Sequence, residues 1–191
     1  MNITVDKREI ESMNDSPDID FHRLGYNEFT NDVQIIAELI EKDSWRPDFI
    51  VGIGRGGLVP GTYLSHRLDL PLLSVDHSSK VHMFSDSLLA HLARCIVDGE
   101  RFLFVDDIND SGGTIGRFKN ALGQGGQSSL SVRFAVLISN TVSSQSVDYA
   151  ARNINRDHDK RWFIFPWGEL ASRAAQERDA MEQPERLASR R

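Results

Sequence analysis

Short apolar runs separated by stretches with a helical period set the fold class of this chain. Asp48 to Gly54 (DFIVGIG) is β-branched and largely apolar on successive residues, which suits a strand covered on both faces. Leu70 to Val75 (LPLLSV), Phe102 to Val105, Leu130 to Ile138 and Arg161 to Phe165 (RWFIF) read as further strands, the last stopped by Pro166. Between the runs, Val33, Ile36, Ala37 and Ile40 share one face of a helix that enters at Gly25-Tyr26-Asn27-Glu28 and stops at Pro47. Leu58 to Leu68, Asp86 to Val97 and Thr114 to Leu122 read as helices, and Gly123, Gly125 and Gly126 end the last of them. Strands that alternate with helices predict an α/β domain with a mainly parallel central sheet flanked by helices. Ligands of such sheets bind at the carboxyl ends of strands. The loops 54–57, 76–84 and 106–114 fall at such ends. Residues 139–160 are polar and predict a loop-rich stretch.

With 191 residues, 40% of them hydrophobic, the chain carries the core of one domain. The expected division is a polar N-terminal segment 1–20, a domain over 21–167 and a polar tail 168–191, either a solvated helix or partly disordered. A net charge of -6 argues against nucleic acid or an anionic membrane as partner, while a locally cationic or metal-bridged site can still take a phosphorylated ligand. The single cysteine, Cys95, cannot form an internal disulfide and reads as a small buried hydrophobe in LLAHLARCIV. No apolar run approaches the length of a membrane span, and the N-terminus is acidic rather than signal-like, so a soluble cytoplasmic protein is expected.

The stretch FLFVDDINDSGGT, Phe102 to Thr114, poses the chemical question. Two adjacent carboxylates, Asp106 and Asp107, end an apolar strand, and they repel each other, so a plain turn would not select them. A ligand with hydroxyls and a bound Mg²⁺ suits them. Asp110-Ser111-Gly112-Gly113-Thr114 then opens a helix with the parts of a phosphate cradle: bare backbone N–H groups, hydroxyls and a helix N-terminus. Taken alone, the same loop also reads as a helix cap on a tight βα turn. A Walker loop is excluded because no Lys precedes its Ser/Thr.

The thirteen residues together resemble the 5-phosphoribosyl-1-pyrophosphate (PRPP) signature of type I phosphoribosyltransferases, position by position. Ile53-Gly54-Arg55-Gly56-Gly57-Leu58-Val59-Pro60 resembles the pyrophosphate loop of that family, most closely in its xanthine-guanine members. Trp162-Phe163-Ile164-Phe165-Pro166-Trp167 resembles their base-binding hood, which puts a small hood near 139–167. The resemblance implies the type I phosphoribosyltransferase fold and transfer of a phosphoribosyl group from Mg-PRPP to a 6-oxopurine, in purine salvage. It implies that Asp106 and Asp107 hold the ribose hydroxyls, with Asp107 toward Mg²⁺. Ser111, Gly112, Gly113 and Thr114 would hold the 5′-phosphate. Arg55, Gly56 and Gly57 would face pyrophosphate, across a cis peptide joining Gly54 and Arg55. Asp110 would contact the base and accept its proton. Trp162 is the candidate for stacking on the purine, with Phe163 beside it. Where the family usually carries a Lys toward the 6-oxo group, this chain has Ser139-Asn140-Thr141, and Asn140 becomes the candidate neutral donor. Asp76 to Ser87 matches the family's mobile loop, with Ser78, Ser79 and Lys80 as contacts. A homo-oligomer is expected on the same ground. The alternatives are a PRPP-binding regulator without catalysis and a transferase for another nucleobase.

Overall fold

The computed structural model describes residues 19–76, 82–123 and 130–181, with the backbone alone for 82–85. The elements run β1 (Phe21–Arg23), α1 (Tyr26–Lys42), β2 (Phe49–Ile53), α2 (Gly54–Leu68), β3 (Leu72–Val75), α3 (His82–Val97) and β4 (Phe102–Asn109). They continue with α4 (Gly113–Ala121), β5 (Val132–Asn140), β6 (Tyr149–Ile154), β7 (Trp162–Ile164), a 3-10 turn over Pro166–Gly168 and α5 (Arg173–Met181). Five strands form one sheet in the order β3-β2-β4-β5-β6, and every neighbouring pair is parallel. The expected α/β architecture is therefore the observed one.

Alternation along the strands supplies two cores, because successive side chains leave a strand on opposite faces. On one face Ile50, Leu103, Val105, Ala135 and Leu137 pack against Phe29, Val33, Ile36 and Ile40 of α1 and Leu64 of α2. On the other, Val51, Ile53, Phe102, Phe104, Val132 and Phe134 meet Leu89, Leu92 and Ile96 of α3 and Ile115 and Phe118 of α4. Cys95, partly exposed, packs at the margin of this second core. Among the described residues no helix is long and apolar enough to cross a membrane.

Three departures from the sequence reading bear on the site. The helix after β2 starts at Gly54, four residues earlier than Leu58. The strand from Phe102 runs on to Asn109, past both carboxylates. The polar stretch 139–160 contains β6, an edge strand of which only Tyr149 is buried. An edge strand with one neighbour needs no apolar alternation, so YAARNI carries no strand signal. A second sheet pairs β1 with β7 in parallel, Phe21 opposite Trp162. A three-residue strand held by one partner leaves no period to read.

Candidate active site

Where strand order reverses, the carboxyl ends of neighbouring strands part and leave a crevice. Here the crevice opens between β2 and β4. Their last paired residues are Gly52 and Val105, while β4 stays paired with β5 as far as Asn109. From Asp106 onward, β4 is therefore flanked on one side only. The result is a cleft of about 510 Å³, lined by β2–α2, the end of β4 and the loop after it, β7 with the turn beyond it, and α5.

Asp106 and Asp107 both line this cleft. Asp106 is buried and accepts a hydrogen bond from the Asp107 N–H at 3.0 Å. Asp107 is half-buried and accepts one from the Ile108 N–H at 2.8 Å. Loss of hydration penalises charge on both. Burial, then the neighbouring Asp107 charge, pushes the Asp106 carboxyl well above the usual carboxylate range. Burial pushes Asp107 up to about 6. The pair is therefore set to receive a ligand that brings positive charge or hydroxyl donors.

The glycines of β2 and α2 let backbone segments meet at this point. A Cβ on Gly57 would lie 1.9 Å from the Val105 carbonyl oxygen, and one on Gly52 would lie 2.7 Å from the Leu58 Cα. A Cβ on Gly56 would lie 2.5 Å from Asp107 Oδ2. The first turn of α2 thus rests directly on the end of β4. Arg55 is exposed at the cleft wall. The expected cis peptide is absent: the Gly54–Arg55 bond is trans, and Gly54 makes the turn at φ +55°.

Beyond Asn109 the chain turns through Asp110, Ser111 and Gly112 into α4, with Gly112 as N-cap at φ +89°. The first intrahelical bond runs from the Gly116 N–H to the Gly112 carbonyl, so α4 presents its N-terminal end at this loop. The Gly113 N–H donates to Ser111 Oγ at 3.4 Å. Ser111, Gly112, Gly113 and Thr114 all line the cleft. A buttress from the β5–β6 connection holds this loop from behind. The Ser144 hydroxyl donates to the Ser111 carbonyl at 2.7 Å, and the Asn109 amide donates to the Gln145 carbonyl at 2.7 Å.

Opposite the cradle stands the aromatic segment after β6. Trp162, half-exposed, lines the cleft. Phe165 and Trp167 are stacked on each other at 4.9 Å and 9°. Phe163 lines the cleft but is buried, and its ring lies under the guanidinium groups of Arg156 and Arg161.

Asn140 does not reach the cleft. It is 3% exposed, its Nδ2 donates to the Asp110 carbonyl at 3.0 Å, and its Oδ1 accepts the N–H groups of Val142 and Arg156. With its oxygen doubly bonded and its amide turned to the backbone, it cannot act as the 6-oxo donor expected of it. Asp110 does line the cleft, and both its oxygens are engaged by Arg156, a residue the sequence reading passed over. Gln176 and Asp179 of α5, in the stretch read as a tail, also line the cleft. Ser78, Ser79 and Lys80 lie outside the described residues. Among the described residues no cluster of three or more His, Cys, Asp or Glu is placed to hold a metal.

Against known proteins, the phosphoribosyl transferase domain family matches residues 28–172. A xanthine-guanine phosphoribosyltransferase of Nitratidesulfovibrio vulgaris strain Hildenborough is 28% identical over 131 residues, 68% of this chain and 72% of the relative. A purine phosphoribosyltransferase structure from Pyrococcus horikoshii Ot3 superposes with TM-score 0.58 at 23% identity, over 81% of this chain and 98% of the other. The Helicobacter pylori xanthine-guanine-hypoxanthine phosphoribosyltransferase gives TM-score 0.59 at 19% identity, over 78% of this chain and 94% of the other. At these identities the two structures speak for the shared fold.

Proposed function

The chain belongs to the phosphoribosyl transferase domain family, and on that premise we propose that it transfers the phosphoribosyl group of Mg-PRPP to a 6-oxopurine and releases pyrophosphate. The observation that carries the reading is convergence: a carboxylate pair, a glycine turn with an exposed arginine, a helix N-terminus and an aromatic wall share one cleft. The xanthine-guanine activity in the name of the Nitratidesulfovibrio vulgaris relative supports a 6-oxopurine as acceptor. In this reading β7 and the turn after it serve as the hood over the base.

The 5′-phosphate is held by the N–H groups of residues 111–115 and the hydroxyls of Ser111 and Thr114, a helix-terminus anion site. Asp106 and Asp107 take the ribose hydroxyls. Their negative charge faces the anomeric carbon, where positive charge develops as pyrophosphate leaves, and that arrangement is preorganised before the substrate arrives. Arg55 and the backbone at Gly56 and Gly57 balance the charge of the departing pyrophosphate. Beside the glycine turn Asp107 is the carboxylate open to Mg²⁺, and among the described residues no cluster of three or more acids, His or Cys is placed to hold the ion. That fits an ion which keeps its waters and is held mainly by substrate phosphates. When bound, the ion neutralises leaving-group charge. The carboxylate lone pairs of Asp110 not engaged by Arg156 accept the hydrogen of the attacking base.

The test is a panel of guanine, xanthine, hypoxanthine, adenine, orotate and uracil with Mg-PRPP, scored by pyrophosphate release. Turnover of 6-oxopurines ahead of the others is expected, and orotate in first place would overturn the base assignment. Trp162 gives a second check. Stacking of a base on an aromatic side chain is worth ~1–3 kcal/mol, so Trp162→Ala should raise KM for the purine ~5- to 150-fold and leave KM for PRPP within about threefold. Equal effects on both constants would take Trp162 out of the base site.

A further inference from the structure

Arg156 lies at the start of the β6–β7 connection and is nearly invisible to solvent: its side chain is 6% exposed and that of Asp110 is 10% exposed. Its Nε donates to Asp110 Oδ1 at 2.8 Å, and its Nη2 donates to Oδ2 at 2.9 Å. This fork-to-fork pairing fixes the plane of a carboxylate as well as its place. The remaining nitrogen, Nη1, donates to the carbonyls of Asp159 at 3.2 Å and Arg161 at 2.6 Å, immediately before Trp162. The guanidinium lies 5.3 Å from the centre of the Phe163 ring. The Arg156 N–H donates to Asn140 Oδ1 at 3.1 Å, and Asn140 returns a bond to the Asp110 carbonyl at 3.0 Å. A single buried cation therefore fastens the loop that carries Asp110 to the strand that carries Trp162.

We propose that Arg156 is a positioning residue that holds Asp110 and the aromatic base platform in fixed register, so that the base nitrogen meets the ribose carbon at reacting distance. This inference rests on the transferase reading above. A structural staple alone would act on stability. Register acts on the reaction, because reacting atoms must lie about 3–3.5 Å apart, and a displacement of about 1 Å costs ~10²-fold in rate. The pairing also consumes the two lone pairs of Asp110 that face Arg156, which leaves the cleft-facing ones for the base. Arg156 thus acts through Asp110 and the strand of Trp162 rather than on the substrate.

The experiment is steady-state kinetics of R156Q, R156K, D110N and the double variant R156Q/D110N, with melting curves on each. R156Q is expected to lower kcat ~10²-fold and raise KM for the purine, while KM for Mg-PRPP stays within about threefold. R156K, which keeps the charge without the fork, is expected to recover part of kcat. The double variant is expected to lose less than the product of the two single losses, because the part of the Arg156 effect that passes through Asp110 is already gone in D110N. If R156Q does not fold, R156K carries the test: wild-type kcat with a lowered Tm would reduce Arg156 to a staple and overturn the inference. Multiplying effects in the double variant would overturn it as well. A wild-type protein that turns over no base sinks the transferase reading itself, whereas an active wild type with unchanged R156Q and R156K kinetics sinks only the role of Arg156.

Discussion

Asp107→Asn is expected to be more stable than the wild type and nearly inactive. Asparagine keeps an oxygen for the Ile108 N–H that Asp107 now serves, so the local backbone need not move. What the substitution removes is a charge in a poorly hydrated place. The folded protein holds the proton of Asp107 up to about 6, against 3.8 for an ordinary aspartate. Below pH 3.8 the folded and unfolded states are both protonated there, and the group contributes nothing. As pH rises through 3.8 toward 6 the unfolded chain ionises first, so the fold loses stability, and the loss is complete above pH 6. A rise of this size corresponds to about 3 kcal/mol, reduced toward ~1 kcal/mol because Asp107 opens on solvent at the cleft. The ligand-free variant should therefore melt ~2–4 °C higher at pH 7.5 and show a flatter dependence of Tm on pH. Turnover should fall by ~10²-fold or more, since the lost charge is one aimed at the transition state. Asp106→Asn should behave alike in direction, as burial raises that carboxyl too. Melting curves from pH 4 to 8 beside pyrophosphate-release rates make the check. Normal turnover with unchanged Tm in both variants would remove the pair from the site.

Such a stability–activity exchange is legible in the sequence because its cause is local. An apolar strand that ends on two carboxylates announces an energetic cost, and a cost of that kind calls for a ligand. The glycine turns are legible for the same reason: the need for bare backbone is a property of a few consecutive residues. Less legible were features fixed by distant partners. Arg156 meets Asp110 across 46 positions, and nothing in NINRDHD separates it from an exposed arginine. Asn140 shows the converse. Its place at the end of β5 suggested a base donor, but the Asp110 carbonyl and the Arg156 N–H reach it first. The edge strand β6, the short β1 and the cleft-facing residues of α5 owe their positions to what they pack against, so no period in their own sequence marks them.

The sharpest contrast the fold offers lies in two adjacent glycines. Gly57→Ala should cost the fold, and Gly56→Ala should cost the chemistry. At Gly57 the new methyl would sit 1.9 Å from the Val105 carbonyl oxygen and 3.0 Å from the Asp106 Cα. Both obstacles are backbone of a central strand whose neighbouring side chains are fully buried, so α2 must lift away from β4. Overpacking of this kind costs ~1–3 kcal/mol and sometimes more, and the lifted helix end carries Arg55 away from the acids. A Tm lowered by at least about 5 °C, together with loss of turnover, is the expected result. At Gly56 the obstacle is the carboxylate of Asp107, 2.5 Å away at Oδ2. A side-chain end can rotate where a strand cannot. The Gly56→Ala protein should keep its Tm within about 2 °C, because the new methyl asks for no movement of buried backbone. It should lose ~10²-fold in kcat/KM for PRPP as Asp107 swings off the ribose site. Melting curves and pyrophosphate release on the two variants separate the outcomes. A Gly57→Ala protein with wild-type Tm would show that α2 does not rest on β4 as described. Wild-type turnover in Gly56→Ala would show that the place of Asp107 beside this turn is immaterial to the reaction.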